Sequence, residues 1–357
     1  MTNFDIPHLR LYNQYISRVT FEQPADVVAW LGAVQAQDYL GALWAVGLRT
    51  RNATEKAIEQ AIAEKTIVRT WPMRGTLHFV AAADAHWMIE LLTPRVIAAS
   101  ARRRLMHELD EPIFARSRAL FGRALEGGKQ LRRDACYRLL EAANISTAGG
   151  RGLHILSRLA LDGLLCFGAR EGKQPTFALL DEWVPAARKL QRDEALAELA
   201  RRYFTSHGPA TVQDFVWWSG LTTVDARAGL AMAKPDLVQE AIAGQTYWLA
   251  SSSSTAKAAA PTTYLLPPYD EYTVAYKDRS AVLAPLHSKH LHNGNGVFAP
   301  IIVVDGQVVG LWKRAFKKDT VALTPAPFTK LPKAATRAIA KAATRYGEFL
   351  EATVVLT

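Results

Sequence analysis

Three stretches of this chain repeat one order of elements: helix, helix, helix, strand, tight turn, strand. An internal repeat of this size constrains a fold more than any single motif, because each copy must bury its own small core. The middle copy is the plainest. Residues 112–126, 134–143 and 152–162 read as helices, 164–170 and 175–179 as strands, and Glu171-Gly172-Lys173-Gln174 as the turn between them. A helix pair followed by a β-hairpin is the winged helix-turn-helix layout. In the third copy, residues 193–206 form an amphipathic helix stopped by His207-Gly208-Pro209. Thr211 caps the next helix and Gly220 ends it, Thr223 starts another, and Ala243-Gly244-Gln245 joins strands 237–242 and 246–249. The first copy is more degenerate, with helices at 7–17, 24–34 and 55–63 and a hairpin of strands 67–70 and 77–80. Two linking helices, 82–92 and 94–107, break at Pro94.

Beyond a Ser/Ala stretch at 251–260, which reads as a linker, the pattern turns to short strands at 264–266, 301–304, 308–312, 320–323 and 353–356. Asp305-Gly306 is a hairpin turn, and 334–346 is a basic helix. The expectation is an α+β chain: a first winged unit with linking helices over 1–108, a second over 109–190, a third over 191–250, and a β-barrel or sheet domain with a C-terminal helix over 251–357.

Charge points to a partner. Lys and Arg number 43 against 33 Asp and Glu, a formal net charge of +10. Such a surplus attracts polyanions, nucleic acid among them, although a basic soluble surface has the same composition. There is no apolar run long enough to span a bilayer and no secretory leader in MTNFDIPHLR. Cys136 and Cys166 have neither metal-ligand nor redox-pair spacing. The expected setting is the cytoplasm, associated with the nucleoid, without a membrane partner. His287, His290 and His292 fit no zinc pattern, and no phosphate-cradling glycine loop is present, so neither metal nor cofactor is expected.

Arginine and lysine clusters mark where a polyanion would lie. Arg69 and Arg74 flank the first hairpin; either they reach phosphates, or they form salt bridges or stack on Trp71. Arg102, Arg103, Arg132 and Arg133 lie at element ends, and Lys313, Arg314, Lys317 and Lys318 surround a hairpin of the β-rich part. Each is a solvated face or part of a DNA track. Trp217-Trp218 reads as a core stripe.

The segment Gln35-Ala36-Gln37-Asp38-Tyr39 is polar between two apolar stretches. In a straight helix, residues two apart diverge by about 200°, whereas in extended or turning backbone two carboxamides can address one point. Glutamines in such a place also satisfy buried backbone ends. Asp38 can cap a helix, orient a glutamine or, by rotation of the segment, serve as a carboxylate. Asp270 and Glu271 are a second acidic candidate, either catalytic or paired with Arg279 or a backbone amide.

Val34-Gln35-Ala36-Gln37-Asp38-Tyr39 resembles the Gln-apolar-Gln motif of the AlkZ-like DNA glycosylases, a winged-helix family that excises N7-alkylated purines and in some members unhooks interstrand crosslinks. The resemblance extends over nearly the whole chain, through 69–78, 207–211 with 217–220, 268–272 with 276–279, and 293–294 with 305–314. It implies a monofunctional glycosylase with Gln35 and Gln37 as catalytic residues, Asp38 and Tyr39 as accessories, and double-stranded DNA with alkylated purines as partner. Gln37, where another branch of the family carries Asp, places the chain in the Gln-apolar-Gln branch. No lysine falls in the motif as an amine nucleophile, so neither a Schiff base nor strand cleavage is expected. Tandem units in one chain favour a monomer. A non-catalytic winged-helix DNA-binding regulator is the competing expectation, and it has no need of paired amides in a cleft.

Overall fold

The computed structural model describes residues 4–186, 188–253, 262–293, 296–317 and 320–357. It has two compact units, Met1–Ile58 with Leu196–Thr357, and Glu59–Ala195. The first boundary falls inside the Glu55–Ala63 helix and the second inside Arg192–Ser206. The stretch 1–108 therefore contributes to both units. Most of the 251–260 linker reading, together with Gly294 and Lys318, lies outside the described residues.

Glu59–Ala195 is built on a meander of hairpins. Ile67–Met73 pairs antiparallel with Thr76–Ala81, and Leu165–Phe167 with Thr176–Leu179. The two hairpins join edge to edge where Arg69 faces Phe167. Leu131–Arg132, which the sequence reading left out, adds an edge strand opposite Thr176 and Phe177. The hairpins of the first two repeat copies thus share one sheet. Helices Glu111–Leu125, Arg133–Ala142 and Arg151–Leu161 match the second copy to within a residue or two. They do so because local signals set their ends. The Asp110 carboxylate accepts the Ile113 amide 3.0 Å away at one N-terminus, and Gly163 follows Leu161 at φ +79°. Phe121, Leu140, Ile155, Leu156 and Leu159 meet Leu165, Phe167 and Phe177 in one apolar core. Each such fully buried side chain contributes about 1.5–3 kcal/mol.

The linking helices differ from expectation. Ala85–Ala99 runs straight through Pro94, and the break comes at Ser100, before Ala101–Met106. A proline inside a helix removes one backbone bond and costs about 3 kcal/mol. Burial of Trp87, Met88, Ile89 and Leu92 offsets that cost. The Thr93 hydroxyl lies 2.9 Å from the Ile89 carbonyl and 2.7 Å from that of Leu161.

In Met1–Ile58 with Leu196–Thr357, the third repeat copy follows its predicted layout. Thr211 and Asp214 form a reciprocal capping box at the start of Val212–Ser219, Gly220 ends that helix at φ +73°, and Thr222 caps Thr223–Ala233. Leu237–Ile242 pairs with Gln245–Ala250 through Ala243 and Gly244, both at positive φ. Ala210 makes a single antiparallel bridge to Trp248 ahead of the helix pair, at the place where the second copy has the strand Leu131–Arg132. The C-terminal strands form a five-stranded sheet, in order Thr353–Leu356, Thr320–Pro327, Gln307–Lys317, Ile301–Val304, Thr263–Leu266. The order is linear and only Thr353–Leu356 pairs parallel, so among the described residues this is an open sheet rather than a closed barrel. Helix Lys333–Leu350 buries Ile339, Ala343, Tyr346 and Phe349. Tyr346 meets Trp312 and Trp44 edge to face, at 5.4 and 5.1 Å between ring centres.

Candidate active site

The backbone at the glutamine motif is not helical. Pro24–Leu31 ends at Gly32, with φ +78°, and Val34–Gln35 is extended. The next helix, Tyr39–Gly47, begins only after Asp38, whose carboxylate accepts the Gly41 amide at 2.6 Å. Asp38 is thus the N-cap, and Tyr39 the first helical residue. Gly41 is needed there: a Cβ would stand 2.9 Å from the Asp38 carboxylate and 3.2 Å from Pro268. Ala36 is fully buried. The two amides differ in environment, Gln35 being 8% exposed and Gln37 open to solvent.

A fully buried carboxylate holds this strand. The Gln35 main-chain N–H donates to Glu271 Oε1 at 3.0 Å, and the Trp218 indole N–H donates to Glu271 Oε2 at 2.9 Å. His207 Nε2 lies 3.5 Å from that same oxygen, and its Nδ1 lies 2.8 Å from the Ser206 hydroxyl. Burial pushes the His207 pKa below its usual value, although the neighbouring Glu271 works the other way. The imidazole is neutral at neutral pH.

Asp270 is equally buried and faces away from solvent chemistry. Its two oxygens take Arg49 Nη1 and Nη2, each at 2.9 Å. Arg49 also donates to the Gln14 and Ala45 carbonyls, both at 2.8 Å. Of the two expected pairings the one with Arg279 is not formed, whereas the one with a backbone amide is: the Tyr272 N–H donates to Asp270 Oδ1 at 3.0 Å. Arg279 instead donates to the Thr273 carbonyl at 2.7 Å and lies over the Trp217 and Phe298 rings. Arg49 stands at the end of an apolar stretch, where no local pattern marks it as the partner. Trp218 is core, whereas Trp217 is partly exposed and donates its indole N–H to the Val274 carbonyl.

Two further groups border the motif. Arg314 Nη2 reaches Asp38 Oδ1 at 3.3 Å, while its Nη1 donates to the Tyr346 hydroxyl at 2.6 Å. This arginine therefore ties the Gln307–Lys317 strand to the motif, whereas Lys313 and Lys317 are exposed. Tyr269, also unnoticed in the sequence, has a left-handed backbone at φ +59° and packs on Phe298. Burial and the Asp38 charge raise its hydroxyl pKa.

The remaining basic residues are spread over both units. Arg69 lies mid-strand over the Phe167 ring, 4.8 Å from its centre. Arg74 is at the hairpin turn, φ +54°, with Nη2 3.2 Å from His78 Nε2. His78 Nδ1 donates to the Thr76 carbonyl at 2.9 Å, and burial with the Arg74 charge lowers its pKa to about 3. Arg102 and Arg103 are exposed on Ala101–Met106, and Arg133 is exposed at the start of its helix. Arg132 lies within 3.5 Å of Asp134 and 3.7 Å of Glu171. No cluster of His, Cys, Asp or Glu among the described residues has the geometry to hold a metal. His287 and His290 stack on Phe328. Cys136 and Cys166 are free, buried thiols. Among the described residues no helix is long and apolar enough to cross a membrane.

The family model described as DNA glycosylase AlkZ-like matches residues 28–349. The chain belongs to the AlkZ-like DNA glycosylase family. As a member of it the protein is a DNA glycosylase, a DNA repair enzyme by class. The chain is 28% identical over 339 residues to the interstrand DNA cross-link repair glycosylase of Streptomyces sahachiroi, with 90% of each protein covered. The DNA glycosylase AlkZ of the same organism has a solved structure that this AlkZ-like chain matches with a TM-score of 0.82, at 24% identity, over 99% of this chain and 98% of that one. Its mixed α+β fold is shared throughout.

Proposed function

We propose that this AlkZ-like glycosylase is monofunctional and hydrolyses the N-glycosidic bond of N7-alkylated purines in duplex DNA, crosslinked purines included. The observation that carries this reading is the non-helical backbone at Gln35-Ala36-Gln37, a short strand at Val34–Gln35 held from behind by Glu271 and then a bend at Gln37 that ends at the Asp38 cap. An N7-alkylated purine is cationic, so the C1′–N9 electron pair leaves with the base and neutralises it without acid help. Positive charge then builds on the sugar. Gln37, the exposed amide, would accept a hydrogen bond from the attacking water and turn its carbonyl dipole toward that charge. Water adds to C1′ and loses its proton to solvent. Gln35, nearly buried, would hold the same water from the other side. A carboxamide is a weak base, which restricts the reaction to labile lesions.

The three helix–hairpin segments are read as tandem winged units along the duplex. The pairing of residues ahead of the helix pair with the following hairpin, a short strand in the second copy and a single bridge in the third, supports this. Tandem units in one chain supply what dimeric winged-helix proteins obtain by pairing, so a monomer acting at the nucleoid is the reading. Arg69, Arg74, Arg102, Arg103, Arg132, Arg133, Lys313, Arg314 and Lys317 are its phosphate contacts.

The test is single-turnover release from an N7-methylguanine duplex, with binding measured separately. Gln37→Ala slows release by on the order of 10²–10⁴ and leaves affinity within about threefold. Gln35→Ala behaves similarly, and the double variant loses less than the product because both act on one water. Gln37→Asp retains activity. Undiminished release by the double variant would end the assignment of these residues. Absence of release by the wild-type protein from both N7-methylguanine and crosslinked duplexes would leave a DNA-binding protein without this chemistry.

A further inference from the structure

The largest exposed apolar side chains of Glu59–Ala195 are adjacent. Leu105 is 79% and Met106 73% exposed, at the end of the Ala101–Met106 helix, directly after Arg102-Arg103-Arg104. Isolated exposed leucines are common, but this tip is held firmly rather than loosely. Arg104 Nη1 pairs with Glu111 at 2.9 Å. The Leu109 amide donates to the Arg104 carbonyl and the Glu108 amide to that of Leu105, both at 3.0 Å. The His107 ring packs against His154 in a tilted arrangement, 4.2 Å between ring centres, and Arg151 donates to the His107 carbonyl. The base of the tip is built, and its two apolar ends point at water.

Its charge is also one-sided. Of the acidic residues that follow, Glu111 is taken by Arg104 and Arg158, Asp110 caps the next helix, and Glu108 faces Arg151 at 4.0 Å. Among the described residues Arg102 and Arg103 have no acidic partner within ion-pair distance, and both are exposed. Two apolar ends flanked by two arginines are complementary to a base step flanked by phosphates. Leucine and methionine are among the side chains that DNA-bending proteins insert between base pairs, with arginines gripping the backbone beside them.

We infer that Leu105 and Met106 form a wedge that enters a duplex base step while Arg102 and Arg103 hold the adjoining phosphates. The occupant is duplex DNA, and the inference rests on the DNA-binding reading of this chain. No covalent step is involved. The wedge unstacks the step it enters and bends the duplex toward the protein.

The experiment uses the full chain and a duplex carrying 2-aminopurine, whose fluorescence rises on unstacking. Wild-type protein raises the fluorescence at saturation. Leu105→Ser with Met106→Ser, at two solvent-exposed positions, abolishes the rise, weakens binding by about 5–30-fold, and leaves the salt dependence unchanged. Arg102→Gln with Arg103→Gln does the converse. The logarithmic salt slope falls by about 2, since each lost phosphate contact removes about 0.9, and the fluorescence rise at saturation persists. Unchanged affinity and fluorescence in the Leu105/Met106 variant, with the wild type still binding, overturns the wedge alone. So does a change in that variant's mass by light scattering, which would assign the tip to contact between copies of the chain. Wild-type protein that fails to bind duplex at low salt overturns the DNA-binding reading as well.

Discussion

The two compact units use charge in opposite ways. Met1–Ile58 with Leu196–Thr357 buries Arg10, Arg49, Asp214, Asp270 and Glu271, all within hydrogen-bonded networks. In Glu59–Ala195, Asp84 is the one buried carboxylate among the described residues and no described arginine is buried; its core is apolar and its arginines lie toward solvent. Buried ion pairs add little net stability, because desolvation consumes most of the attraction, but they fix geometry tightly. The unit that carries Gln35 and Gln37 is therefore the one whose interior geometry is fixed by charge pairing. An apolar core with exposed arginines leaves cations available to a polyanion and contributes its stability through packing.

The sharpest way to break this contrast is to cut a buried pair. Asp270→Ala leaves Arg49 charged and unpaired in the interior, and should cost about 3–5 kcal/mol in denaturant unfolding. A loss below about 1 kcal/mol would mean that this pair is slack and does not fix the interior.

The next effect belongs to the other unit and to pH. His78 has a folded pKa of about 3 against an ordinary value of 6.5. The unfolded chain binds more protons between those values, so stability is full above about pH 6.5 and falls as pH drops toward 3. At pH 5 the loss is about 2 kcal/mol. Thermal melts of wild type and His78→Gln across this range should diverge, with the variant showing the flatter profile. Parallel curves would remove the neutral histidine from the account of the Arg74 turn.

A smaller change separates local from long-range order. Thr211→Ala removes one half of a capping box and should cost about 1 kcal/mol in the unit that contains it. The smallest effect is expected for Arg102→Ala or Arg103→Ala, each within about 0.5 kcal/mol of wild type in stability, while the salt dependence of duplex binding becomes shallower. A stability loss comparable to that of Thr211→Ala would show these arginines to be structural and erase the contrast between the units.

Caps, turns and apolar periodicity were legible in the sequence because they act over three or four residues. Asp110, Thr211, Gly220 and the Ala243-Gly244 turn stand where their residue types put them. So does the interruption of helix before Asp38, which leaves Gln35 on a short strand and Gln37 at a bend rather than both on opposite faces of a helix. The failures are equally physical. Pro94 does not break its helix, because packing of Met88, Ile89 and Leu92 outweighs a local propensity. The first two hairpins share a sheet through Arg69 and Phe167, a junction between strands nearly a hundred residues apart that no local pattern announces.

The order of elements, their caps and turns, the basic surplus and the motif that resembles one glycosylase family can all be read along the chain. Which polar groups meet is set by long-range packing: Arg49 with Asp270, the Gln35 amide with Glu271, and Arg314 with Asp38. These partners are 221, 236 and 276 residues apart. A cap is selected by the backbone geometry of its own turn, whereas a long-range ion pair exists only after packing has excluded water and brought two distant segments together. Composition reveals the charges, but the choice between a solvated arginine and a buried one is made by the core that closes around it.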